Sequence, residues 1–294
     1  MNLLKQNVAK YAGVTIALSL SFVTSQDAQA ATLDLGTGWN YSIGLASNGS
    51  GGPEFALSAI AFKQDAQNVY IAINGGADPA KGIYEVGATN NNINDGDLFF
   101  NFTGKDFATA NASQSLFGIH FANNDSGVTE TGLYSNVTAK SVALTHNGYS
   151  SLQEYFDYGW GSELTQGSDL STPQQTKDYY GNNGLSPVLN EIETGKKVAD
   201  ISPLTAAVLG TLNFGKYGAN SAYTFGFQFN KSALPVGDFM ANLFFECANS
   251  GIAISGAIDP NPSSSVPEPL SILGMLFGCG GLLGMKLKRQ SENI

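Results

Sequence analysis

Cationic and sulfur chemistry is scarce in this chain. Only 13% of its 294 residues are charged, roughly half the usual globular share. A single arginine, Arg289, stands near the C-terminus, and there are two histidines and two cysteines. Between Ala31 and Pro262 nine lysines face 21 carboxylates, a formal charge of −12. A body without arginine lacks the planar fork that grips phosphates and carboxylates in bidentate fashion. An acidic surface also gains nothing from counterion release on a nucleic-acid backbone. Nucleic acid is therefore excluded as a partner, and nucleotide-dependent chemistry is a poor fit. Cys279 lies in a C-terminal apolar run, which leaves Cys247 alone in the body and excludes an intradomain disulfide. There is no Gly-x-Ser-x-Gly elbow and no His-Glu-x-x-His pair, and His and Cys are too few for a familiar zinc site.

What is abundant points to an exported β protein. Hydrophobic residues make up 43%, enough for a sizeable core, and 35 glycines accompany many Asn, Ser and Thr. The N-terminus reads as a secretory signal. Lys5 and Lys10 precede the twelve-residue apolar run Ala12–Val23, and Ala28-Gln29-Ala30 supplies the small-x-small pattern of a signal-peptidase site. Twelve helical residues span about 18 Å, short of a hydrocarbon core of about 30 Å. Cleavage is expected after Ala30, so residues 1–30 form the signal and the mature chain starts at Ala31.

The C-terminus has three parts. Residues 259–269 are a Pro/Ser linker ending in Pro267-Glu268-Pro269. Sixteen uncharged residues, Leu270–Met285, follow, and Lys286, Lys288 and Arg289 close residues 270–294. This is a short membrane helix held by a cytoplasmic positive cluster, near the lower length limit for spanning and weakened by glycine. The tripartite pattern resembles a PEP-CTERM sorting signal. That resemblance implies recognition by an exosortase in a Gram-negative bacterium that makes extracellular polysaccharide. It also implies cleavage near the motif, loss of the transient helix, and delivery from an inner-membrane intermediate to the outer surface or matrix.

The body, residues 31–258, alternates with a period of two. Tyr223, Phe225, Phe227 and Phe229 share one strand face, expected to point into one core, with Gln228 on the other. Similar segments run over Trp39–Ala46, Phe55–Lys63, Val69–Ile73, Asp97–Phe102, Leu116–Ala122, Leu133–Leu144, Ala241–Cys247 and Ile252–Ile258. Ten to twelve strands are predicted, an all-β sandwich or jelly-roll-like domain with one or two short helices. Ser150–Tyr158, opened by Ser150-x-x-Gln153, is one helix, and Pro203–Leu209 is another turn or two. Gly159–Asp200 is poor in apolar residues and long for a loop, so it is expected to hold short helices or a flap over the sandwich. The body also resembles a family of exosortase-dependent surface proteins. The likeness rests on stretches such as Gly96-Asp97-Leu98-Phe99-Phe100-Asn101-Phe102, Asn124-Asp125-Ser126-Gly127 and Phe245-Glu246-Cys247-Ala248-Asn249. That family is defined by sorting, so no catalytic residues carry over.

Four local chemistries remain open. Asn94, Asp95 and Asp97, with Asn92 nearby and a second run at Asn123-Asn124-Asp125, could hold calcium, which takes six to eight oxygens; an Asx-turn explains the same residues without metal. Tyr149, Tyr155, Tyr158 and Trp160, with Phe156, could stack on sugar rings of an exopolysaccharide, or could cap the open end of the core. Glu154, Asp157 and Glu163 supply carboxylates for a glycosidase, although nothing fixes their separation. A Cys247–His120 pair is a further nucleophile candidate, set against a buried thiol. The functional expectation is a non-catalytic exported surface or matrix protein. A carbohydrate-binding module and a secreted hydrolase are the alternatives.

Overall fold

Period-two alternation through the body produces antiparallel strands, and their two apolar faces decide how they stack. The computed structural model describes residues 32–260, apart from 35–36, 45–48, 161–169 and 171. The expected cleavage residues Ala28, Ala30 and Ala31 lie outside the described residues, as do Pro267, Glu268, Pro269, Lys286, Lys288 and Arg289.

The strands in chain order are β1 (Thr32–Asp34), β2 (Trp39–Ile43), β3 (Leu57–Gln64), β4 (Asn68–Gly75), β5 (Ile83–Tyr84), β6 (Asn92–Ile93) and β7 (Leu98–Asn101). They continue as β8 (Leu116–His120), β9 (Gly132–Lys140), β10 (Glu191–Ala199), β11 (Ser202–Pro203), β12 (Tyr223–Asn230), β13 (Gly237–Phe244) and β14 (Gly251–Ile258). Among the described residues four short α-helices join them: α1 (Phe107–Ala112), α2 (Leu152–Asp157), α3 (Pro173–Tyr180) and α4 (Ala206–Leu209). One six-stranded sheet has the order β1-β2-β3-β4-β12-β11 and the other β10-β9-β8-β7-β13-β14, while β5 and β6 form a small ribbon. Pairing is antiparallel throughout. The protein is thus mainly β, with two antiparallel sheets packed together.

The central core lies between the sheets. Ile60, Ile71 and Phe229 of the first sheet meet Phe100, Leu243 and Ile254 of the second. Phe100 sits 5.2 Å from Phe239 and 6.4 Å from Phe229, both edge to face, the arrangement that ring quadrupoles favour. The outer faces are also covered. Trp39, Tyr41 and Phe214 form one outer cluster, and Phe99, Phe107 and Tyr180 form another under α1 and α3. Several strands are therefore buried on both faces, which is why β7 reads Leu-Phe-Phe-Asn with every residue buried.

Four sequence expectations need correction. On β12, Phe227 and Phe229 are in the central core and Phe225 packs against it, but Tyr223 at the strand's outer end is 40% exposed. Gly159–Asp200 holds a short helix, α3, as expected, but also the nine-residue strand β10, whose polar face is open to solvent. α1 and α3 raise the helix content beyond one or two. The cap of α2 is Ser151, whose hydroxyl accepts from Glu154 N at 3.1 Å, rather than Ser150.

The sheet edges differ in character. β10 pairs with β9 through three register irregularities. β14 presents carbonyls of Ala253, Ser255 and Ala257 to side chains of the first sheet: Ser42 Oγ donates at 2.5 Å, Asn40 Nδ2 at 3.5 Å and Gln64 Nε2 at 2.7 Å.

Candidate functional site

A buried group of carboxylates and imidazoles forms where four segments converge. The stretch 94–97 runs between residues 244–246 and Asn190. Gly96 N donates to Phe244 O at 2.8 Å, Glu246 N to Asn94 O at 3.0 Å, and Asp97 N to Asn190 O at 2.9 Å. A Cβ on Gly96 would stand 2.4 Å from Asn190 O and 2.7 Å from Phe244 O, so glycine is what allows the close approach. Asn190 fastens the junction. Its Nδ2 donates to Phe245 O at 3.0 Å and Glu246 O at 2.7 Å, and its Oδ1 accepts from Val142 N at 3.1 Å.

Asp97, just before β7, is fully buried and surrounded by donors. Oδ1 accepts from His120 Nδ1 at 2.9 Å and Asn124 Nδ2 at 3.2 Å; Oδ2 accepts from Ser126 Oγ at 2.8 Å and Ile192 N at 2.7 Å. This bond places a proton on Nδ1 of His120, the last residue of β8.

A second half of the group centres on Glu246. Its Oε2 accepts from Asn94 N at 2.7 Å and its Oε1 from Asp125 N at 2.8 Å. His146, at the end of a 3₁₀ turn (Ala143–His146), puts Nδ1 3.1 Å from Val142 O. Its Nε2 stands 3.6 Å from Glu246 Oε2 and 3.7 Å from Asp125 Oδ2. Among the described residues, Asp125, His146 and Glu246 are the one set of three whose ligand atoms converge, all within 4.8 Å of one another.

Two further acids border the group with oxygens that meet no donor: Oδ2 of Asp95 and both oxygens of Glu191. Burial, then the charge of Glu246, pushes Asp95 up to about 7. Burial, then Asp97 and Glu246, holds Glu191 well above the ordinary carboxylate range. Glu246 is raised too, chiefly by burial, against the opposing pull of the Asn94 amide and His146.

The structure joins the two oxygen-rich runs that the sequence presents separately. Asn94 Nδ2 donates to Asn123 O at 2.5 Å, and Asn124 Nδ2 to Asp95 O at 3.1 Å. Asn94, Asp95 and Asp97 are all buried, but Asp97 already holds four protein donors. The aromatic cluster is split. Tyr155 is buried and its hydroxyl accepts from Gly49 N at 3.0 Å, so it offers no ring face to a sugar. Tyr149 is half-buried against Tyr155 at 5.2 Å, whereas Tyr158 and Trp160 are exposed by 69% and 37%. Glu154 accepts from Ser150 N and Oγ, and Asp157 from Gln153 Nε2; Glu163 lies outside the described residues. Cys247 belongs to the central core, and burial lifts its thiol to about 12, which opposes thiolate chemistry.

His146, Glu191 and Glu246 are the members that sequence reasoning did not assign. The available signal was thin: both histidines of the chain fall in this one group. No family model, no curated protein and no solved structure matches the chain.

Proposed function

We propose that this chain is an exported, non-catalytic surface or extracellular-matrix protein, freed at its N-terminus by signal peptidase and sorted at its C-terminus by an exosortase. One observation carries the reading beyond the terminal motifs. β1 and β14, the first and last strands among the described residues, are edge strands of different sheets, so a cut beyond either one would unpick no central ladder. The finer fold reading is a β-sandwich whose faces carry short helices. The membrane is then a transient partner, met through Leu270–Met285.

The test is intact mass of the surface-exposed form beside a variant with Pro267, Glu268 and Pro269 replaced by Ala. The native form should lack residues 1–30 and the C-terminal helix. The variant should stay uncut in the inner membrane. A variant that reached the surface at native mass would overturn the sorting reading. A second reading, exopolysaccharide binding, draws on the exposed rings of Tyr158 and Trp160. Trp160→Ala should then release the protein from matrix polysaccharide in a pull-down, and unchanged retention would remove it.

A further inference from the structure

The geometry points to a metal site: we propose that Asp125 Oδ2, His146 Nε2 and Glu246 Oε2 hold one divalent transition ion of the zinc class, leaving a solvent-side position for water. This goes beyond the sorting reading and does not depend on it.

Three relationships carry the proposal. The first is spacing. Nε2 of His146 is 3.6 and 3.7 Å from the two carboxylate oxygens, too far for hydrogen bonds. Ligands about 2.1 Å from a tetrahedral ion stand about 3.4 Å apart, close to the two distances from Nε2, and all three ligand atoms lie within 4.8 Å of one another. The second is orientation. Nδ1 of His146 is engaged by Val142 O, which fixes the ring and aims Nε2 at the carboxylates. That is the usual outer support of a metal-binding imidazole. Glu246 is held likewise: backbone N–H groups of Asn94 and Asp125 grip its two oxygens. These bonds place the carboxylate and leave further lone pairs free to ligate.

The third relationship is charge, and it is independent of the triad's own geometry. Asp95 is 2% exposed and Glu191 is 0% exposed, yet one oxygen of the first and both of the second meet no donor. In the metal-free protein protonation offsets the charge of such buried acids; a cation beside them would do the same. Lys140, the cross-strand partner of Glu191, is the cation that bears on that residue. A divalent ion between His146, Asp125 and Glu246 would offset the surplus.

The ligand set selects the ion. An imidazole nitrogen with two carboxylates suits zinc and its first-row neighbours, whereas calcium and magnesium take oxygen alone and more of it. The side chain of Asp125 is a third exposed while His146 and Glu246 are buried, so the ion would be reached from that side. Three protein ligands with an open fourth position make an exchangeable site. Its structural effect would be to tie the loop after β8, the 3₁₀ turn after β9 and the chain after β13 to one point.

The test uses the untagged full-length chain, stripped with chelator and titrated with Zn²⁺ against a chromophoric competitor, with Co²⁺ as spectroscopic reporter. One equivalent of Zn²⁺ should bind, and saturation should raise Tm by about 5 to 10 °C. Co²⁺ should give visible bands of a low-coordinate N/O site. Asp125→Asn should weaken Zn²⁺ at least tenfold; its side chain is partly exposed and its backbone bond to Glu246 survives, so it should fold. His146→Gln should abolish the cobalt bands. Absence of one-to-one binding in folded wild type would overturn the proposal. So would zinc affinity unchanged in Asp125→Asn, which would mark an adventitious surface site, or Ca²⁺ bound more tightly than Zn²⁺.

Discussion

Nδ1 of His120 donates to Oδ1 of Asp97 across 2.9 Å, with both side chains buried. The same carboxylate receives Ile192 N, Ser126 Oγ and Asn124 Nδ2, so Asp97 ties β7, β8, β10 and the loop after β8 to one pair of oxygens. Asp97→Ala strands a buried backbone N–H and an imidazole proton together. The expected loss is about 3 to 5 kcal/mol in denaturant unfolding. A loss under about 1 kcal/mol would mean that water or Glu191 takes over those donors.

The pH dependence of the metal-free protein should follow Asp95. Its pKa is raised from 3.8 to about 7 in the folded state, so the folded form holds the proton more tightly than the unfolded one. The resulting stability is complete below pH 3.8 and is lost as pH climbs through 7. Glu191 and Glu246 shift in the same direction. The Tm of chelator-treated protein should therefore fall between pH 5 and pH 8. Asp95→Asn should flatten part of that slope and raise Tm at pH 8. A Tm that climbs over this range would refute the assignment.

Truncation along β12 should be graded rather than uniform. Phe227→Ala, opposite Ile71 in register and inside the core, should cost about 3 to 5 kcal/mol. Tyr223→Ala at the exposed end should cost under about 1 kcal/mol. Equal losses measured by urea unfolding would place both rings in one core, against the register found here.

Cys247 offers a direct probe of core integrity. In a Cys279→Ser chain it is the sole thiol. Burial and the raised pKa should keep it unreactive to a thiol reagent at pH 8 until denaturant unfolds the body. Rapid labelling of the native protein would indicate local opening at the chain after β13.

The sequence made the strands legible wherever one face is apolar, as in β12 and β14. It hid β10, because Glu-Thr-Gly-Lys-Lys in an edge strand shows no alternation and buries only Glu191 and Ile192. It misplaced the start of α2 by one residue, since Ser150 and Ser151 both offer a hydroxyl and only tertiary placement decides between them. At the site, local pattern found the two runs of oxygen-bearing residues but not their meeting. Asp125 and Glu246 stand 121 positions apart. Counting His and Cys for a zinc site also overlooked carboxylates that only folding delivers.

The margins of the two sheets bear on how the protein behaves when crowded. A free strand edge is a template for another chain. Here β1 has three residues and β11 has two. β10 is broken by bulges and carries Lys196 and Lys197. The outward carbonyls of β14 are taken by Asn40, Ser42 and Gln64. Each margin is too short, too irregular or already occupied. Packed densely, neighbouring copies are denied the ladder by which β proteins fuse into fibres, and sedimentation at rising concentration should find the body unpolymerised.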